Sequence, residues 1–165
     1  MKYVTGTNKS KIDGCVFCAM LRESRESDPE NHIVYRGKST FVVMNIYPYN
    51  TGHLMILPYE HVASLSAISP TTHLEIMTLI SYFIDLLTEL MHPDGFNVGL
   101  NLGRVAGAGI DSHLHMHLVP RWGGDSNFMA VIAETRVLPE TLDDTYRRIV
   151  AMVAQTPPAL GQIVR

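Results

Sequence analysis

Long apolar runs are missing from this chain. No stretch approaches the roughly 18 residues that a membrane span needs, so no membrane partner is expected. Cysteine is scarce: 2 thiols cannot build a disulfide framework, and in a reducing compartment they read as metal ligands or free thiols. Charge of one sign is not in excess either, and a net charge of -3 gives no electrostatic case for binding nucleic acid. Residues 1–13 carry Lys2, Lys9 and Lys11 but no apolar core of the kind a secretory leader has. They read as a flexible lead, and the cytoplasm is the expected compartment. Internal repeats and low-complexity tracts are lacking. Residues 14–165, with 46% of the whole chain apolar, suit a single globular domain whose motifs lie between residues 32 and 128.

What is present is histidine, in one place above all. His113-Leu114-His115-Met116-His117-Leu118-Val119 alternates with the period of a half-buried strand. On a strand the three imidazoles share one face, roughly 7 Å apart, and Leu114, Met116 and Leu118 share the other. The apolar face accounts for a strand but not for the histidines.

Upstream, Cys15-Val16-Phe17-Cys18 opens a short helix, and residues 22–31 form a polar loop. Strands are expected at 32–36, 40–45, 53–57 and 96–101, the first three rich in β-formers and separated by turn residues. Ser69-Pro70-Thr71-Thr72 signals a helix start, with Glu75 three residues after Thr72 as in a capping box. From there to about Met91, Leu74, Met77, Leu79, Ile80, Phe83, Ile84, Leu86, Leu87 and Leu90 suit a long amphipathic helix. Gly103 to Gly109 is a glycine-rich loop leading into the histidine strand. Residues 128–137 read as another short strand, and Pro139 to about Val153 as a closing helix. Strands in runs, helices segregated and connections short argue an α+β fold with an antiparallel sheet.

The chemistry of the histidines follows from the imidazole itself. A neutral ring has one nitrogen with a free lone pair, and a pKa near 6.5 keeps it neutral at pH 7. Attack by that nitrogen on phosphorus splits a hard displacement into two easier ones, provided the other nitrogen holds its proton against a fixed acceptor. A transferred phosphoryl group is anionic, and the backbone N–H groups of Gly107, Ala108 and Gly109 are candidate donors, although a plain turn is an equal reading of that loop. The central position falls to His115, with His113 and His117 flanking it.

The histidine stretch, with Pro120-Arg121-Trp122 after it and Gly52-His53 upstream, resembles the histidine-triad (HIT) family of nucleotide-binding proteins. Within that family the run from Ala106 to Phe128 looks most like bacterial diadenosine tetraphosphate phosphorylases and their hydrolase relatives. The resemblance implies a five-stranded antiparallel sheet with two main helices, paired into a homodimer through the long helix and a strand. It implies nucleotidyl transfer through a covalent nucleotidyl-histidine, with His115 the nucleophile and His53 a fourth supporting histidine. A purine nucleotide or dinucleoside polyphosphate is the implied substrate, and water or inorganic phosphate the second acceptor. Asn45 matches the family's ribose ligand, although a strand-ending Asn is an equal local reading. Asn101 matches a phosphate contact. Trp122 either shields the site, stacks on a base or packs at an interface.

Some members of the family bind zinc, and Cys15, Cys18, His61 and His113 match those ligands, implying a structural Zn and no organic cofactor. From the residues alone, buried thiols and a redox pair remain alternatives for the two cysteines. Competing functions are a nucleoside phosphoramidate or mononucleotide-conjugate hydrolase, and a nucleotide-binding signalling module. A metalloenzyme using the triad as its ligands is disfavoured, because imidazoles at alternate strand positions splay too far apart to share one ion.

Overall fold

The computed structural model describes residues 14–125 and 140–159. Its strands are β1 (Ile33–Arg36), β2 (Thr40–Met44), β3 (Leu54–Pro58), β4 (Gly95–Leu100) and β5 (Met116–Arg121). They form one five-stranded antiparallel sheet in the order β1-β2-β3-β5-β4, the α+β architecture expected from the sequence. The helices are α1 (Val16–Arg22), α2 (Pro70–Met91) and α3 (Leu142–Gln155), the last two being the expected main pair. No described helix is long and apolar enough to cross a membrane.

One sheet face packs under α2 and α3. Leu79, Phe83, Leu87 and Ile149 there meet Val42, Met44, Leu54, Ile56 and Leu118. Phe83 is fully buried, and truncating such a side chain to Ala typically costs about 3–5 kcal/mol. The opposite face carries Ile33, Phe41, Val43, Met55 and Leu57, and against these α1 lays Phe17. Because β2 and β3 supply both faces, all their residues are buried, which explains why they read as continuous apolar runs rather than as alternation.

Local details depart from expectation. The α2 cap is Ser69, whose Oγ accepts from the Thr72 amide, and Thr72 is not itself the cap. Glu75 therefore closes no capping box; it accepts from the Ser39 amide and the Thr40 hydroxyl at the β1–β2 turn. Leu74 and Met77 point outward, at 39% and 54% exposure, because the buried stripe runs through Ile76, Leu79, Ile80 and Phe83 instead. The closing helix starts at Leu142 rather than at Pro139, with the Thr141 hydroxyl accepting from the Asp144 amide. The strand expected within 128–137 lies outside the described residues.

The main correction concerns the histidine stretch. β5 begins at Met116, so His113 and His115 precede the strand and only His117 stands on it. The reason is that both neighbours run out there: β3 and β4 each make their last pairing with Met116, through Ile56 and Leu100. Ahead of that point the chain is held by a loop, the Leu114 amide donating to the Val62 carbonyl at 2.6 Å.

Candidate functional site

His53 leads into β3, His113 and His115 lead into β5 and His117 stands on it, and the pairing of β3 with β5 brings these four expected histidines together. His53 is fully buried, and His113, His115 and His117 are 1%, 7% and 9% exposed. Gly52 permits the tight entry of His53: its φ is +77°, and a Cβ there would meet Met91 Sδ at 2.9 Å and Pro120 Cγ at 3.3 Å.

Hydrogen bonds assign the protons around the rings. His113 Nε2 donates to the Pro58 carbonyl at 2.9 Å, so its Nδ1 carries the lone pair. His115 Nδ1 donates to the His113 carbonyl at 2.8 Å, which leaves His115 Nε2 with the lone pair. A second chain starts at the Tyr49 amide, which donates to His53 Nδ1 at 3.1 Å. Since that nitrogen accepts, the proton of His53 is on Nε2, which donates to His117 Nδ1 at 2.9 Å. His117 must then carry its own proton on Nε2, a buried group with no hydrogen-bond partner among the described residues. A buried unsatisfied donor beside a free lone pair is a polar site built for something from outside.

The rings sit closer than a regular strand would hold them. His115 and His117 are 4.9 Å apart edge to face, because His115 lies off the strand. Burial, reinforced by the neighbouring imidazoles, pushes the pKa of His53 down to about 3 and that of His117 to about 4. Burial also lowers His113. These rings are neutral at pH 7, as the proton assignments require.

His113 Nδ1 faces away from the triad into a second cluster. It lies 3.4 Å from Cys15 Sγ, 3.6 Å from Cys18 Sγ and 3.3 Å from His61 Nδ1, and Cys18 Sγ is 3.3 Å from His61 Nδ1. All four donor atoms lie within 4.8 Å of one another. Metal bonds of about 2.3 Å to sulfur and 2.0 Å to nitrogen at tetrahedral angles put sulfur and nitrogen about 3.5 Å apart and the two nitrogens about 3.3 Å apart. The cluster fits a tetrahedral ion, and the bond from His113 Nε2 to Pro58 orients its ring for that role.

The other residues singled out from the sequence are placed with mixed outcome. Asn45 follows β2 beside His53; its Oδ1 accepts from the Tyr47 amide at 3.0 Å and its Nδ2 is 3.4 Å from His53 Nδ1. Asn101 follows β4, half-buried. In the glycine loop the amides of Ala106, Gly107 and Ala108 bond to carbonyls of the same loop, so these three are turned inward. Gly107 has φ +93°, Ala108 is buried and Gly109 is exposed. Trp122 is half-buried, its amide donating to Asp125 at 3.2 Å. Asp125 also accepts from Arg121 and from Asn50, and the Arg121 bonds hold its carboxyl far below the usual range.

Sequence reasoning missed Tyr49, Pro58 and Phe17. The first two act through backbone groups, which leave no residue-type signal. Phe17 had one: it stands between two cysteines, so any ion on both would draw it to the site. Its ring meets His113 at 5.5 Å and His115 at 5.7 Å.

Over 131 residues the chain is 44% identical to a Mycobacterium tuberculosis protein named AP-4-A phosphorylase, covering 79% of this chain and 67% of that protein. It is 26% identical over 107 residues to an adenosine 5'-monophosphoramidase of Schizosaccharomyces pombe, covering 65% of this chain and 74% of that one. Among solved structures, a Zn-bound histidine triad family protein from Mycobacterium smegmatis superposes with a TM-score of 0.67 at 27% identity, over 86% of this chain and 94% of that one. The HIT domain model matches residues 26–124, a span that takes in the whole sheet and all four buried histidines, and the chain belongs to that family.

Proposed function

We propose that this chain transfers a nucleotidyl group from a dinucleoside polyphosphate, diadenosine tetraphosphate above all, to inorganic phosphate through a covalent intermediate on His115. The bond from His115 Nδ1 to the His113 carbonyl carries the reading, because it places the proton on Nδ1 and leaves Nε2 with the lone pair of a nucleophile. In the first step His115 Nε2 forms a bond to the nucleotidyl phosphorus while the bridging P–O bond breaks, the leaving oxygen keeping the electron pair. His117 Nε2–H is the donor aimed to receive that oxygen's charge. In the second step an acceptor oxygen attacks the same phosphorus, the N–P bond breaks, and the lone pair returns to His115. Asn45, Asn101, Gly109 and Trp122 are the residues assigned to substrate, while Gly107 and Ala108, whose amides bond within their own loop, shape that loop rather than donate from it. The relative named AP-4-A phosphorylase supports this substrate and acceptor.

Cys15, Cys18, His61 and His113 would hold one zinc ion, a reading supported by the donor set, the spacing and the Zn-bound relative. With all four positions filled by protein it supplies a structural tie and no open position for substrate.

A second reading keeps the nucleophile and changes the bond broken from P–O to P–N, as the relative named a monophosphoramidase suggests. The deciding experiment incubates the protein with diadenosine tetraphosphate, with and without inorganic phosphate. ATP plus ADP, formed only with phosphate, is the expected outcome. ATP plus AMP makes it a hydrolase; no turnover of the dinucleotide with turnover of adenosine phosphoramidate gives the second reading.

A further inference from the structure

We infer that Phe17 is a positioning residue for His115, and that occupancy of the Cys15–Cys18–His61–His113 cluster is felt at the His115 ring through it. The inference rests on the reading of His115 as nucleophile. The hydrogen bond to the His113 carbonyl fixes which nitrogen of His115 is protonated, but one bond leaves the ring free to tip about it. The plane of the ring is set by its two aromatic neighbours, His117 at 4.9 Å and Phe17 at 5.7 Å. Phe17 is 4% exposed and also stands edge-on to His113 at 5.5 Å, so it backs the nucleophile and the ligand beside it together.

Helix α1 cannot hold Phe17 in place unaided. It has 7 residues and no side-chain cap at Cys15, and isolated helices shorter than about 12 residues are marginal in water. Two things anchor it: the apolar cluster around Phe17, Phe41 and Met55, and the ligand cluster. An ion shared by Cys15, Cys18 and His113 would set the distance between α1 and the backbone whose carbonyl holds His115. Phe17, carried between the two thiols, then has one place to stand.

The test uses the full chain loaded with zinc, as wild type and as Phe17→Leu, which keeps an apolar side chain but removes the flat ring. Four quantities are read: zinc per chain, KM, the rate of nucleotidyl-adduct formation in a single turnover, and the ring-nitrogen NMR signals of His115 in protein labelled at histidine. Phe17→Leu should keep its zinc and its KM, shift the His115 signals, and form adduct about tenfold or more slowly, as expected for a misplaced reacting atom. Chelating zinc from the wild type should move the same signals. A raised KM with an unchanged adduct rate would make Phe17 a wall of the substrate pocket, and loss of zinc would make it part of the metal site; either overturns the inference. Unmoved His115 signals overturn it too. His115→Ala run in parallel separates the two levels: if that variant still turns over, the nucleophile reading has failed, whereas an inactive His115→Ala beside a fully active Phe17→Leu defeats only the role of Phe17.

Discussion

The carbonyl oxygen of His113 lies 2.8 Å from Nδ1 of His115, so the residue facing the thiols also fixes the proton of its neighbour. Main chain at one position and side chain at the next but one act as a unit. This is possible only because the segment is not strand: in a β ladder the His113 carbonyl would be pointing at another strand.

His115→Ala is therefore expected to leave the sheet intact, since the ring belongs to neither ladder, and to keep nucleotide binding. Turnover should fall by about a thousandfold or more, because direct displacement has no comparably placed nucleophile. Steady-state rates with diadenosine tetraphosphate check this, together with nucleotide affinity by calorimetry. Activity within tenfold of wild type would sink the mechanism.

The chain from the Tyr49 amide through His53 to His117 makes a different prediction. His53→Leu removes the donor to His117 Nδ1, so the proton of His117 is no longer held on Nε2. Turnover should fall by about 10- to 100-fold, less than for His115→Ala, with KM little changed, because the lost group acts on charge developing in the transition state. A rise in KM at constant kcat would place His53 in substrate binding instead.

Much of this was legible in the sequence, and the exceptions have physical causes. The period-two pattern located the histidines correctly but overextended the strand, since alternation cannot show where neighbouring strands end. The family resemblance brought out His53 and His61, and the Cys-x-x-Cys spacing picked out Cys15 and Cys18, whereas Pro58 and Tyr49 work through peptide groups that every residue has. Glu75 was misread because spacing alone cannot tell a local cap from a carboxylate reaching the β1–β2 turn. Leu74 and Met77 fit the helical apolar stripe by spacing, yet the sheet beneath α2 covers only part of its width.

Stability should depend on pH in a defined direction. His53 and His117 titrate at about 3 and about 4 in the fold, whereas an unfolded chain takes up those protons below about pH 6.5. Between those limits the unfolded state binds more protons, so the contribution is complete above about pH 6.5 and is lost as pH falls towards 4 and then 3. Urea midpoints at pH 7.5 and pH 5, for wild type and His53→Gln at equal zinc saturation, isolate the effect. Wild type should lose more on acidification than the variant. Equal losses would mean that His53 is not held neutral by burial.

The last prediction concerns assembly. Among the described residues strand β4 is the last in the sheet and pairs with β5 alone, and its Val98 is 44% exposed. An edge with free backbone groups and an apolar side chain invites another chain, and monomers usually blunt such edges with charge or proline. The β4 strand has neither. On α2 the exposed Leu74 and Met77, three positions apart, add apolar surface that the sheet does not cover. We therefore expect a homodimer at micromolar concentration, measured by light scattering. Val98→Lys, which puts a charge on the β4 edge without touching a buried residue, should shift it towards monomer while the far-ultraviolet circular dichroism stays that of the wild type. A wild-type protein that scatters as a monomer would refute the pairing, and a Val98→Lys protein that remains fully dimeric would move the interface away from β4.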